Sequence, residues 1–483
     1  MFGMISPPHA KCLGPGPDPV AVAAGWPEDR PLAALISARG GSRLARWSIL
    51  AAPEDTRFIH DRGREAGELL VRDLDQLLPS TGRVPPMEDP RCPPFRGGRI
   101  LLLPYELGGA LEPRATDPGR DRSGSDPLAV ALSCPNALVH DRVENRWWLV
   151  GPETGSPWLC SCLERAVDPT PGPVACGDLL PDPDDREYAR MVERTIEYVH
   201  AGDIFQANIT RKFRAGIDLS GLEAQRRFSA ALLASSGAWF GGVIELGTRG
   251  GPGERTIISL SPELFLEFDP MTRLIRTRPI KGTLPDTATH DELRSSEKDA
   301  AELAMIVDLM RNDLGRMCEV GSVRVSEDRT IEHHPGVLHG VAEVSGVVPE
   351  GTGFGSLLAS TFPPGSISGA PKVRAMQVIE ELEQEDRGIY CGAVGFASNC
   401  GRIQLDVSIR TIELVPTGGT DPVHSHELAY GSGCGIVAES TPAGEVAESH
   451  VKARRLKDFL DRNRPQPGNP SAAEATMTQA AGG

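Results

Sequence analysis

The sequence predicts an α+β protein of antiparallel strands with helices laid against them, and three observations predict it. Short strand-like runs punctuated by Pro, Gly and Arg recur through the first 180 or so residues. The stretch from Thr256 to Thr283, "TIISLSPELFLEFDPMTRLIRTRPIKGT", reads as strand, turn, strand, turn, strand, with Asp269-Pro270 at a bend. Several longer segments carry apolar residues at helical spacing.

In chain order, "RWSILAAP", "RILLLPYELGG" and "RWWLVG" are the clearest strands of the first third. A joint rich in Pro and Asp, "DPTPGPVACGDLLPDPDD", leads to a helix over 186–201. Tyr188, Met191, Val192, Ile196 and Val199 form its apolar face, and Gly202 ends it. Glu263 then opens one strand and Lys281 closes the next, so antiparallel neighbours can bring both side chains to one pocket. "SSEKDAAELAMIVDLMRNDLG" is a helix with a Ser296–Asp299 capping box. Leu303, Ile306, Val307, Met310 and Leu314 make its buried stripe, and Gly315 stops it. "GRIQLDVSIRTIELV" alternates as one strand, with Ile403, Leu405, Val407 and Ile409 on one face and Asp406, Ser408 and Arg410 on the other. A last helix over 443–460 precedes a tail, 462–483, whose composition predicts disorder.

A chain of 483 residues suits two lobes or one large composite domain. Its net charge of −16 argues against nucleic acid as the main partner, and an acidic ligand would then need a metal or well-placed cations. No apolar run reaches membrane-spanning length, and the N-terminus has Pro and Gly where a signal peptide needs an apolar core. The ten cysteines are scattered without paired C-x-x-C spacing, as expected for reduced thiols of a cytoplasmic protein.

Some residues stand out chemically. Lys281 occupies a glycine-flanked bend, although most lysines lie on solvated faces. Asp299 and Glu302 share a helix face, and Glu445 and Glu448 repeat that spacing on the last helix. A hard ion such as Mg²⁺ between the helices would relieve their repulsion, while spacing alone equally suits two solvated acidic helix starts. "YGSGCGIV", 430–437, reads as a glycine-rich turn whose amides can cradle a carboxylate or phosphate. "TFPPGSISGAPKVRAMQVIEEL" offers a glycine turn before a helix, a second place for an anion.

In this order, "GDIFQANIT", "LSPELFL", "RTRPIKGT", "EKDAAELAMIVDLMRNDLG", "FPPGSISGAPKVRAM", "RGIYCGAVGF", "VSIRT", "GCGIVAES" and "EVAESHVKA" resemble the chorismate-utilising family of anthranilate, aminodeoxychorismate, isochorismate and salicylate synthases. The resemblance covers 185–460 and implies a catalytic domain over 185–461. It implies a large sandwich of two antiparallel sheets with outer helices, to which 1–184 contribute strands. Members that activate water resemble one another in placing a lysine where this chain has Gln206, and anthranilate synthases look like "PIAGT" where it has "PIKGT". The resemblance therefore implies amination of chorismate at C4, with Lys281 as covalent nucleophile at C2, Glu263 as general acid and His339 beside the reacting ring. It assigns Mg²⁺ to Glu302, Glu448 and Glu445, the last acting with Asp299 through metal-bound water. Substrate contacts fall to Gln206, Thr283, Tyr390, Arg410, Lys452 and the amides of Gly433 and Gly435. No cysteine sits in a nucleophile elbow, so ammonia is expected from a separate glutamine amidotransferase subunit or from solution. Ala342, Glu439 and Cys434 depart from the family's pattern. Two other readings stay open: amination at C2, and a catalytically idle binding or regulatory subunit.

Overall fold

The computed structural model describes residues 9–37, 42–61, 67–78, 92–116, 126–151, 156–219, 221–247, 254–334, 337–419 and 424–465. The first long helix, Asp185–His200, starts where the Asp184 side chain accepts a hydrogen bond from the Glu187 N–H. Tyr188, Met191, Val192 and Thr195 are its buried face. The helix Glu297–Gly315 starts likewise, with the Ser296 side chain accepting from the Asp299 N–H. Leu303, Ile306, Met310 and Leu314 are buried as expected, and Val307 packs against the same core from a half-buried position. Gly315 does not stop this helix through a left-handed turn. The cap is Arg316, which keeps right-handed helical dihedrals.

Two antiparallel sheets form the body. Among the described residues the first has twelve strands and the second ten. Of the strands before residue 152, five (His9–Gly14, Ala33–Ile36, Trp47–Ala51, Ala137–Asp141, Arg146–Gly151) join the first sheet. Three (Asp55–Ile59, Gly98–Leu103, Ala129–Cys134) join the second. The sheets face each other through one buried cluster that includes Ile49, Val139 and Ile257 from the first and Ile100, Val130 and Val394 from the second. Helices cover the outside: Leu222–Ser236 and Pro442–Asn463 set Phe228, Leu232, Leu456 and Phe459 against Ile258, Ile412 and Leu428. The last helix thus runs past the expected boundary at 461, and residues 466–483 lie outside the described residues.

Four local expectations are corrected. "GRIQLDVSIRTIELV" is two strands, Ile403–Asp406 in the second sheet and Thr411–Pro416 in the first, because the chain changes sheets between them. The same holds for Arg255–Ser261 and Leu264–Asp269, which belong to different sheets and are not neighbours. The segment 430–437 is no turn. It lies mostly within the strand His426–Ile436, paired along its length with Gln206–Ile217. Lys281 does not close a strand either: it is the second residue of Ile280–Pro285, where the register against Val337–Val347 slips by one residue. Gly282, at φ +80°, supplies the left-handed backbone of that bulge.

No helix among the described residues is long and apolar enough to cross a membrane. None of the ten cysteines is joined in a disulfide.

One buried ion pair ties the N-terminal segment to the first sheet. Arg226 grips both carboxylate oxygens of Glu245 at 2.7 and 2.8 Å and donates to the carbonyls of Trp26, Pro27 and Arg30. Arg226→Ala should cost about 3–5 kcal/mol, because it strands a half-buried carboxylate and three carbonyls. Chemical denaturation followed by tryptophan fluorescence checks this, and a loss under about 1 kcal/mol would show that the clamp is dispensable.

Candidate active site

A cavity of about 520 Å³ opens where the sheet-changing segments, the bulged strand and the two acidic helix starts meet. Glu263, Lys281, Thr283, His339, Tyr390, Arg410, Gly433, Gly435 and Lys452 line it, as do Asp299, Glu302, Glu445 and Glu448. Gln206 is the exception: it lies behind the wall, fully buried, and its side-chain amide has no hydrogen-bond partner among the described residues. That amide comes within 2.8 Å of where a Cβ on Gly435 would stand.

Glu263 sits between the two sheets, at the crossing that follows Arg255–Ser261. Ser366 Oγ donates to its carboxylate at 2.6 Å. Burial dominates over that bond and over Lys281, and pushes the Glu263 carboxyl up to about 7. Lys281 responds in the opposite sense: burial draws its ammonium below the usual lysine range, with Glu302 the strongest opposing charge. A carboxyl able to hold a proton and an amine able to lose one thus face one cavity.

His339 is fixed in a single neutral tautomer. Arg410 Nη2 lies 3.3 Å from its Nε2, and a guanidinium can only donate, so Nε2 is the acceptor. Nδ1 therefore carries the proton and donates to Thr283 Oγ1 at 2.9 Å. Burial holds this imidazole well below its ordinary pKa, and Arg410 and His334 add to the effect. Arg410 itself adopts φ +54°, a left-handed backbone that few non-glycine residues accept. Tyr390 lies so close to the neighbouring strand that a side chain on Gly431 would meet its ring at 2.1 Å.

Lys452 donates to the Gly433 carbonyl at 2.6 Å. Within a strand the N–H and C=O of one residue face the same edge, so the Gly433 and Gly435 amides share the edge that Lys452 approaches. These glycines form no turn, and their amides lie along one edge of a strand.

The acidic wall is partly neutralised within the chain. Lys298 lies 3.8 Å from Glu302, and Lys452 lies 2.8 Å from Glu448. Burial raises the Glu302 pKa, and Asp299 and Glu448 add to it. Glu445 and Glu448 bring carboxylate oxygens within 4.8 Å of each other and of the Cys434 sulfur, a group that does not include Glu302. Burial pushes the Cys434 thiol up to about 12, so it stays protonated, and the donors left for a cation are carboxylate oxygens. Such a set fits a hard divalent ion.

Sequence reasoning missed Ser366, Lys298 and Arg455, all on the cavity wall. Ser366 had a signal, since it lies in the quoted glycine-rich "PPGSISGAP". The helix Lys372–Leu382 after that segment, read as an anion site, has instead a lysine at its start that is bound to Asp313 and to the Thr361 and Pro363 carbonyls.

Comparison with known proteins matches residues 45–458 to the family described as chorismate binding enzyme. Aminodeoxychorismate synthase component 1 of Salmonella typhimurium is 35% identical over 78% of this chain and 79% of its own length. Anthranilate synthase component 1 of Thermus thermophilus is 33% identical over 89% and 92%. The crystal structure of anthranilate synthase component I from Streptococcus pneumoniae superposes with a TM-score of 0.66 at 25% identity, covering 87% of this chain and 94% of that one.

Gly435→Ala should leave the fold nearly as stable as the parent, because its methyl would meet only the flexible ends of Gln206 and Lys281, at 2.8 and 3.2 Å. Turnover should fall at least tenfold as those ends are displaced. A melting scan beside steady-state kinetics checks both halves, and unchanged turnover would remove Gly435 from the site.

Proposed function

The chain belongs to the chorismate-binding enzyme family, and from that membership we propose that it aminates chorismate at C4 with ammonia, giving 4-amino-4-deoxychorismate. The observation that carries the reading is Lys281: its amine, drawn toward neutrality by burial, faces the same cavity as a Glu263 carboxyl pushed up to about 7.

In the first step the neutral Lys281 amine forms a bond to C2 of the ring, and the C4–O bond breaks. Glu263 gives its proton to the departing hydroxyl, which leaves as water. In the second step ammonia bonds to C4, and the C2–N bond to Lys281 breaks and restores the amine. The proton shed by the incoming nitrogen returns to the Glu263 carboxylate. Splitting one hard displacement into two allylic ones is the usual gain of covalent catalysis. His339 cannot compete as a base for the lysine proton, because its only acceptor nitrogen is already occupied by Arg410. Arg410, Tyr390, Thr283, Lys452 and the Gly433 and Gly435 amides hold the substrate, while Gln206, behind the wall, does not reach it. Glu302, Glu445 and Glu448 would hold Mg²⁺, which when bound supplies a positive anchor for a substrate carboxylate and offsets the Glu302 charge. Ammonia comes from a separate glutamine amidotransferase subunit.

The anthranilate synthase relative, which covers more of this chain than the aminodeoxychorismate synthase, favours a second reading, amination at C2. Product identity separates the two. With chorismate, Mg²⁺ and ammonium salts, chromatography should show 4-amino-4-deoxychorismate, and Lys281→Ala should lose it by several orders of magnitude. Intact mass without ammonia should show an adduct in the parent and none in the variant. A merely threefold loss, or anthranilate from the parent, would reject the reading.

The pH profile tests Glu263. A carboxyl with its pKa raised to about 7 holds the needed proton below that pH and loses it above, so the rate should fall as pH rises through about 7. Glu263→Gln should flatten that limb and slow turnover roughly 10²-fold or more. A descending limb that persists unchanged in the variant would assign it to another group.

A further inference from the structure

Asp406 is buried and lies outside the cavity wall, and no cation pairs with it among the described residues. A buried carboxyl without a cationic partner is costly, so its surroundings bear on its role. Oδ1 accepts from the Val394 N–H at 2.7 Å and from Ser408 Oγ at 2.8 Å, and Oδ2 accepts from Ser259 Oγ at 2.9 Å. Ser259 belongs to the first sheet and Val394 to the second, while Ser408 lies on the segment that crosses between them. One side chain therefore bridges both sheets and the crossing.

Ser408 carries the connection further. Its N–H donates to the Gly392 carbonyl at 2.9 Å, and its own carbonyl accepts from the Cys391 N–H at 2.8 Å. Cys391, directly after Tyr390, has φ +65°, and Arg410, two residues after Ser408, has φ +54°. Both are left-handed backbones at non-glycine residues, which persist only when the surrounding structure over-determines them. Asp406 and Ser408 form one hydrogen-bonded link between this strained stretch and the sheets, beside the Leu260 N–H, which donates to the Arg410 carbonyl at 3.2 Å.

We propose that Asp406 is a positioning residue: through Ser408 it holds the 406–411 crossing so that Arg410 and Tyr390 face the cavity. This rests on the reading of Arg410 and Tyr390 as grips on the substrate carboxylates. Cutting the strut loosens a grip made before the chemistry, so it raises the chorismate KM and the calorimetric dissociation constant more than it lowers kcat.

The test compares Asp406→Ala, Asp406→Asn and Ser408→Ala with the parent and with Arg410→Ala, using chorismate affinity by calorimetry in a Lys281→Ala background, where no adduct forms, and steady-state kinetics with ammonium salts in chains that keep Lys281. Asp406→Ala should weaken chorismate affinity roughly tenfold or more, as small misplacements of positioning groups do. Asp406→Asn should recover it to within about threefold, because its Oδ1 still accepts from Val394 and Ser408. Ser408→Ala, which removes one hydroxyl at the strut's centre, should behave like Asp406→Ala and carries the test if that variant does not fold. A folded Asp406→Ala or Ser408→Ala protein with parental affinity would overturn the proposal, as would a lower melting temperature with unchanged affinity. Parental affinity in Arg410→Ala would instead overturn the grip itself.

Discussion

The cavity depends on one constraint: two of the segments where the chain changes sheets, 262–263 and 407–410, are bonded to each other. The Val407 N–H donates to the Glu263 carbonyl at 3.0 Å, and Ser261 Oγ donates to the Val407 carbonyl at 2.6 Å. Glu263 and Arg410, remote in sequence, are thereby set at a fixed offset. A crossing interrupts regular pairing and leaves backbone groups that must find partners. Here each crossing supplies partners for the other, so irregular backbone can be buried where two sheets part. The space between the parting sheets is the cavity.

Burial then sets the chemistry. The same desolvation that raises Glu263 lowers Lys281, because it disfavours the charged form of each. A salt bridge between them would have kept both charged, and no such pair forms. Burial thus moves both groups toward their neutral forms, the Glu263 carboxyl up to about 7 and the Lys281 amine below the usual lysine range. His339 is held apart from this exchange by Arg410 on one nitrogen and Thr283 on the other.

Local signals were legible and long-range ones were not. The Ser296 cap and the faces led by Tyr188 and Leu303 follow from rules that operate within a few residues. The two-sheet sandwich was legible through the ordered motifs rather than through periodicity. Alternation from Ile403 to Ile409 has the same period whether the strand continues or changes sheets, so the break at 407–410 left no trace. "YGSGCGIV" looked like a turn because glycines usually weaken strands, and here eleven residues of pairing override that preference. The bulge at Lys281 was half visible, since Gly282 announced an unusual backbone but not which strand it faced. The strut at Asp406 was invisible, because its three partners lie on three separate segments.

The charge of the whole protein adds a last condition. A chain of net charge −16 must admit an acidic substrate, and its mean field opposes that. The cavity answers locally: Lys281, Lys298, Arg410, Lys452 and Arg455 line it against Glu263, Asp299, Glu302, Glu445 and Glu448. Glu263 is close to half protonated at neutral pH, which takes one acid partly out of the balance. Lys298 and Lys452 each lie against one carboxylate of the acidic wall and offset part of its self-repulsion. Arg410 lies against His339, a neutral acceptor that puts no opposing charge beside it. The field a carboxylate meets there is thus set by a few buried side chains, and over distances beyond about 8–10 Å salt screens the surface acids that give the protein its net charge.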